Sequence, residues 1–232
     1  MKIGIIVFPG SNCDKDTIHV LSNVLKIECE LLWYKKSDLD DFDAVIIPGG
    51  FSYGDYLRGG VIAAFSPIMN EVRKMAEKEK PVLGICNGFQ ILVEAGLLPG
   101  ALMTNASLKF VCKWTKLKVL TNRTKFTNDC IENSLLNMPI AHHQGRFFAD
   151  RKDLSRIMRD EQIVFSYVDE NGEAKDEANP NGSILNIAGV CNKKGNVVGL
   201  MPHPERSSES ILSPFGSEDG LQIFRSLINS LK

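Results

Sequence analysis

The chain has 232 residues, 44% of them hydrophobic and 24% charged, which suits one α/β domain or two small ones with a real core. Its 27 Lys and Arg against 28 Asp and Glu leave a net charge of -1, so no basic field exists to hold a phosphate backbone and a nucleic-acid partner is not expected. No run of about 18 apolar residues argues for a membrane span, and six scattered cysteines without a Cys-x-x-Cys pair argue against both a disulfide framework and a metal site.

Strand-like runs come first at "KIGIIVF" (2–8), "CELLWY" (29–34), "DAVIIPGG" (43–50) and "PVLGIC" (81–86). Helix-like stretches fill the gaps at 14–26 and 61–80, and a third helix starts just after Cys86. Strands alternating with helices at this spacing predict βαβ units and an α/β fold with a mostly parallel sheet flanked by helices. The near-continuous Val, Ile and Leu of the strands fits burial on both faces. From about 104 to 190 the segments shorten and alternate, as in "SLKFVCKWTKLKVL" (107–120) and "IVFSYVD" (163–169), which predicts an added antiparallel β section. "DENGEAKDEANPNGS" (169–183) reads as a mobile surface loop. "NVVGLMPHPERSS" (196–208) is a last strand entering a proline-bracketed turn, and 220–232 has helical periodicity. There is no internal repeat, and residues 1–232 are expected to form one domain.

Ligands in such sheets bind beyond the carboxyl ends of the strands, and three features fall there: "PGSNCD" (9–14), "PGGFSYGDYLRGG" (48–60) and Cys86. Gly84-Ile85-Cys86-Asn87-Gly88 has the G-x-nucleophile-x-G form of an elbow that exposes its central side chain. Orphan N–H groups and the helix dipole there favour thiolate, and the Asn87 N–H can donate to a developing oxyanion. A buried cysteine at a tight turn fits the five residues equally well.

A thiol with a pKa of roughly 8.5 needs a nearby base to serve as nucleophile at neutral pH. Of four histidines, His19 lies within a helix pattern, His142 and His143 sit in "PIAHHQGRFF", and His203 follows an apolar run and so shares the strand-end position of Cys86. Pro202 and Pro204 bias the backbone toward extended, where residues i and i+2 share a side about 6.6 Å apart. Glu205 is therefore placed to orient His203, which completes a Cys–His–Glu relay; a surface salt bridge between the two explains the spacing as well. Gly49 and Gly50 free the backbone to aim a second N–H at the site.

Together, "PGGFSYGDYLRGG", "GICNGFQIL", "NPNGS" with "NIAGV", and "GLMPHPER" resemble the class I (triad) glutamine amidotransferases, and most closely the separate glutaminase subunits of phosphoribosylformylglycinamidine synthases. The likeness runs from "VFPGSNCD" to the C-terminal helix. It implies a flavodoxin-like amidotransferase type 1 domain in which Cys86 attacks the side-chain amide of glutamine, His203 moves protons and Glu205 holds His203. Gly49, Gly50, Phe51, Asn87 and Gln90 then form the oxyanion and substrate-binding set, with Phe51 as a substitute donor for Gly50. The resemblance implies a γ-glutamyl thioester, and ammonia passed to a large synthetase subunit that uses ATP and Mg to convert formylglycinamide ribonucleotide into its amidine. A small third subunit, no cofactor of this chain's own, no membrane and a cytoplasmic setting complete the picture. The absence of a G-x-x-x-x-G-K-[ST] loop agrees with ATP chemistry residing elsewhere.

One stretch departs from the family: His-Gly-Glu-Gly-Arg is expected where this chain has His142-His143-Gln144-Gly145-Arg146. Arg58 and Arg146 are candidates for the glutamine carboxylate, with surface solvation the alternative for each. Two other functions keep the elbow: a stand-alone cysteine hydrolase of γ-glutamyl or peptide bonds, and a sensor or interaction subunit whose cysteine is oxidised or structural. The second has no use for a proton-moving histidine.

Overall fold

A computed structural model describes residues 1–232. Its strands are β1 (Lys2–Val7), β2 (Glu28–Trp33), β3 (Ala44–Ile47), β4 (Val82–Ile85), β5 (Ala101–Met103), β6 (Val111–Val119), β7 (Leu135–His142), β8 (Arg146–Phe148), β9 (Ile163–Val168), β10 (Ile187–Cys191) and β11 (Val197–Leu200). The helices are α1 (Asp14–Ile18), α2 (Val61–Ala64), α3 (Pro67–Glu77), α4 (Asn87–Glu94), α5 (Arg151–Arg159) and α6 (Leu221–Ser230). Nine strands form one sheet in the order β2-β1-β3-β4-β11-β10-β9-β6-β7, and β5 pairs with β8 apart from it.

The first five strands of that order run parallel, and every pairing from β11 onward is antiparallel. β3, β4 and β11 are buried along their whole length, which is why they read as uninterrupted apolar runs. β11, last in the chain, is the hinge of the arrangement: it lies parallel to β4 and antiparallel to β10. A single buried apolar cluster includes Ile3 and Ile46 from the parallel half and Leu117, Leu136 and Tyr167 from the antiparallel half, so the two halves share one core.

Several boundaries differ from the sequence expectations for local reasons. The helix expected over 61–80 is two helices, because Ser66 precedes Pro67 and takes extended backbone at ψ 152°, while Pro67 starts α3 as its first residue. The helix expected over 14–26 becomes a π-helix at His19–Val24. Helix α5 was not expected; its signals are Leu154 and Ile157 on one face and the cap, where the Asp150 side chain accepts from the Asp153 N–H. The segment 169–183 is not a free surface loop at its far end, since Asn181 and Ser183 are buried and the Asn179 side chain accepts from the N–H groups of Asn181, Gly182 and Ser183.

The join between β4 and α4 depends on missing side chains. A Cβ on Gly88 would lie on the carbonyl of Ile47 in β3, and one on Gly84 would sit 2.6 Å from the Gly88 carbonyl oxygen. Gly88→Ala is therefore expected to destabilise the fold by about 1–3 kcal/mol, as overpacking against backbone does. Urea unfolding checks this: an unchanged midpoint would mean that α4 has room to move off β3.

Candidate active site

The carboxyl ends of β3, β4 and β11 are brought level by their register. Ile47 pairs with Gly84 and Leu200 with Ile85, so Gly49, Cys86 and the chain leading to His203 leave the sheet side by side. Cys86 sits at φ 50°, ψ -104°, a strained conformation for a residue with a Cβ. Its N–H donates to Leu200 O at 2.8 Å, and its carbonyl accepts from Gln90 as the first turn of α4. The thiol is buried, lies at the N-terminus of that helix and points to the Ala141 carbonyl 3.8 Å away. The backbone makes the sharp strand-to-helix turn that the five-residue pattern suggested, with the thiol covered by the end of β7.

β7 reaches the thiol although it stands at the far end of the sheet. The antiparallel half curls until Pro139 O accepts the His203 N–H at 2.9 Å and Ala141 O faces Cys86. His203 is held by that bond and by its carboxylate partner: Nδ1 lies 2.6 Å from Glu205 Oε1, with side chains 2% and 0% exposed. The pairing expected from the sequence is present, but its backbone cause is different. Pro204–Ser207 is a 3-10 turn rather than extended chain, and the turn swings Glu205 back under the ring. Burial alone would push the imidazole pKa down; the Glu205 carboxylate opposes this, the Cys86 and Cys13 thiols add to it, and His203 is held well above the usual histidine value. With Nδ1–H given to Glu205, Nε2 is left without a partner in the protein.

Around this pair the backbone donors sort themselves. The Phe51 N–H is given to Gly10 O at 2.9 Å, so Phe51 is not a free substitute donor; the Gly50 and Asn87 N–H groups have no acceptor in the protein. Gly49 packs directly on the histidine, since a Cβ there would be 2.8 Å from His203 Cε1 and 3.0 Å from Cys13 Sγ. The Asn87 side chain has a task the sequence did not suggest: its Oδ1 accepts the Ser52 N–H at 3.1 Å and its Nδ2 donates to Gln90 Oε1 at 2.8 Å. It thereby ties the 51–56 loop to the elbow.

The unusual loop at 142–146 belongs to the site wall. Gln144 accepts the Gly59 N–H through its side chain at 2.9 Å and the Gln90 amide through its carbonyl at 2.6 Å. The buried His142 ring meets Asn105 Oδ1 at 3.1 Å through Nδ1, and Asn181 donates to the Gly145 carbonyl at 2.9 Å. Asn105 and Asn181 were not singled out by sequence; only the "NPNGS" motif pointed to the second. Arg58 is spent on Glu94 at 2.6 Å, whereas Arg146 has only a 3.8 Å contact to the Met103 sulfur and leaves Nε unpartnered. No helix is long and apolar enough to cross a membrane.

With this geometry in view, the comparisons are specific. A family model described as the CobB/CobQ-like glutamine amidotransferase domain matches residues 1–229. The chain is 57% identical over 229 residues to phosphoribosylformylglycinamidine synthase subunit PurQ of Methanosarcina barkeri, covering 99% of this chain and 97% of that one. Against the subunit of the same name from Aquifex aeolicus it is 51% identical, covering 99% and 100%. Among solved structures, one described as PurLQS from Thermotoga maritima superimposes with a TM-score of 0.85 at 44% identity over 100% of this chain and 99% of that one.

The wall makes a measurable demand on pH. Burial, with the neighbouring His203 charge, lowers the His142 pKa from 6.5 to about 4. The unfolded chain thus takes up this proton first, so the stability is full above pH 6.5 and is lost as pH falls toward about 4. The loss amounts to the order of 3 kcal/mol. Urea unfolding across that range should show wild type losing this much more than His142→Gln; equal losses would mean that the ring is not held neutral.

Proposed function

The chain belongs to the CobB/CobQ-like glutamine amidotransferases and, within them, to the PurQ-type glutaminase subunits of phosphoribosylformylglycinamidine synthase; on that premise we propose that Cys86, His203 and Glu205 are the residues that hydrolyse glutamine. The observation that carries this assignment is the buried 2.6 Å His203–Glu205 pair, standing at the end of the strand beside the elbow with Nε2 unspent.

The steps follow from the groups present. The Cys86 proton passes to His203 Nε2, and the thiolate attacks the side-chain carbonyl carbon of glutamine. Negative charge moves to the carbonyl oxygen, where the free Gly50 and Asn87 N–H groups are the donors. His203 returns the proton to the nitrogen, the carbon–nitrogen bond breaks, and ammonia leaves behind a γ-glutamyl thioester. A water then gives its proton to His203 and attacks the thioester; glutamate departs and the thiol is restored. Glu205 fixes the ring and offsets its charge at each protonation. Gln90 and Gln144 frame the pocket for the substrate. The continuous sheet supports taking residues 1–232 as a single amidotransferase domain.

The ammonia is passed, in this reading, to a large synthetase subunit that uses ATP and Mg to make formylglycinamidine ribonucleotide, with a small third subunit in the same cytoplasmic complex. The relation to the chain within PurLQS supports such an assembly. So do the exposed Tyr56 and Leu57, which crown the loop that carries Gly50 at its base. A sensor cysteine would leave the histidine relay unused, and a stand-alone hydrolase would leave that apolar crown unused.

Two results are expected. Cys86→Ala abolishes glutamine-dependent synthesis by the complex while synthesis from added ammonia survives; loss of both would make Cys86 structural. The isolated chain releases ammonia from glutamine slowly, and the synthetase with its nucleotide substrate and ATP raises the rate strongly. Fast hydrolysis by the chain alone would sink the coupled reading.

A further inference from the structure

We propose that the back of the His203–Glu205 pair is a binding site for a soft divalent cation, zinc in the first instance, held by Cys13, His203 and Glu205, and that its occupation arrests glutamine hydrolysis. The binding rests on geometry alone; the arrest rests on the relay assigned above.

Cys13 comes from the loop after β1, far from the other two in sequence. Its Sγ, a ring nitrogen of His203 and a carboxylate oxygen of Glu205 nevertheless lie within 4.8 Å of one another, and all three residues are buried. Sulfur, imidazole nitrogen and carboxylate oxygen form the borderline-soft set that zinc takes in tetrahedral sites. Ligand atoms about zinc stand roughly 3–4 Å apart, so a cluster no wider than 4.8 Å needs only a small closure. The expectation of no metal site rested on spacing along the chain, which cannot register donors brought together from two strand ends.

The second observation is an unmet demand for positive charge and donors. Glu205 Oε2 is buried without a hydrogen-bond partner, a condition native interiors avoid. Arg206 supplies part of what is missing: its Nη2 donates to Cys13 Sγ at 3.1 Å, and its Nε lies 4.0 Å from Glu205 Oε1. Its side chain is 39% exposed and also pairs with Asp16, at 3.3 Å, so it can turn outward and yield to a cation. A cavity of about 390 Å³ lined by Asp16, His19, Trp114, Pro139, Glu205 and Arg206 opens on the Glu205 side of the cluster, and Cys86 is not part of its lining.

Binding forms a sulfur–metal bond and releases the Cys13 proton to solvent. Either ring nitrogen gives arrest. Metal on Nε2 removes the proton acceptor, and metal on Nδ1 requires the remaining ring proton to occupy Nε2.

Cobalt(II) titration of the full chain tests the site, because a thiolate ligand produces a near-ultraviolet charge-transfer band. One such band per chain is expected in wild type and in Cys86→Ser, and none in Cys13→Ser. In the complete synthase, with magnesium held constant, zinc should inhibit glutamine hydrolysis. Cys13→Ser, measured against its own zinc-free rate, should need about tenfold or more zinc for the same fractional inhibition. Arg206→Ala, which removes the competing guanidinium, should tighten cobalt binding and serves if Cys13→Ser does not fold. A band lost with Cys86→Ser but kept in Cys13→Ser places the metal on the nucleophile and overturns the site, as does the lack of any band or cobalt binding that Arg206→Ala leaves unchanged. Cobalt bound through Cys13 without inhibition overturns the arrest alone.

Discussion

The parallel pairing of β4 with β11 is the constraint on which the site rests. It joins strands separated by more than a hundred residues and sets Leu200 beside Ile85, so that the next bond along, Cys86 N–H to Leu200 O, closes the elbow against the strand that leads to His203. The strained φ of 50° at Cys86 persists because that bond and the first turn of α4 hold its N–H and carbonyl, while Gly88 seats α4 against β3. Cys86 and His203 are thus positioned by main-chain bonds between core strands. A site built this way has few soft degrees of freedom at its centre.

The antiparallel half turns that frame into a closed site. β7 is last in the sheet order, yet its Pro139 and Ala141 carbonyls touch the His203 N–H and the Cys86 thiol. The curl of the sheet covers the His203–Glu205 pair, and burial strengthens the pull of the carboxylate on the imidazole. The same burial has the opposite result a short distance away. His142, offered neutral Asn105 instead of a carboxylate, is held uncharged. Burial alone would lower both histidines; the carboxylate beside His203 turns its shift upward, whereas His142 has no such partner and stays low.

How much of this could be read from the chain depended on how local its cause was. The parallel strands, the elbow and the His203-x-Glu205 pair are written in short runs whose apolar content or spacing is diagnostic. Even so, the pair meets by a 3-10 turn after Pro204, while simple spacing suggested extended backbone. Pro67, whose effect on the preceding residue splits the 61–80 helix, was legible in principle. Cys13, Asn105, Asn181 and the contacts of Gln144 were not, since each matters through a partner more than thirty residues away. Phe51 shows the same limit from the other side: adjacency to Gly50 suggested a donor, and only the Gly10 carbonyl reveals that its N–H is already committed.

The loop after β3 remains the one part of the site whose geometry is held from outside the core. Tyr53, Gly54, Asp55 and Leu57 all have φ between 53° and 71°, and three of them are not glycine, so the loop stores strain that its own sequence does not relieve. What restrains it is a small set of bonds: Asn87 to the Ser52 N–H, Phe51 N–H to Gly10, Tyr53 N–H to Pro9, and Gln144 to the Gly59 N–H. At its crown, Tyr56 and Leu57 are 70% and 78% exposed. The centre and the rim are therefore held differently: main-chain bonds between core strands fix Cys86 and the chain leading to His203, whereas the rim depends on a few bonds between loops and side chains.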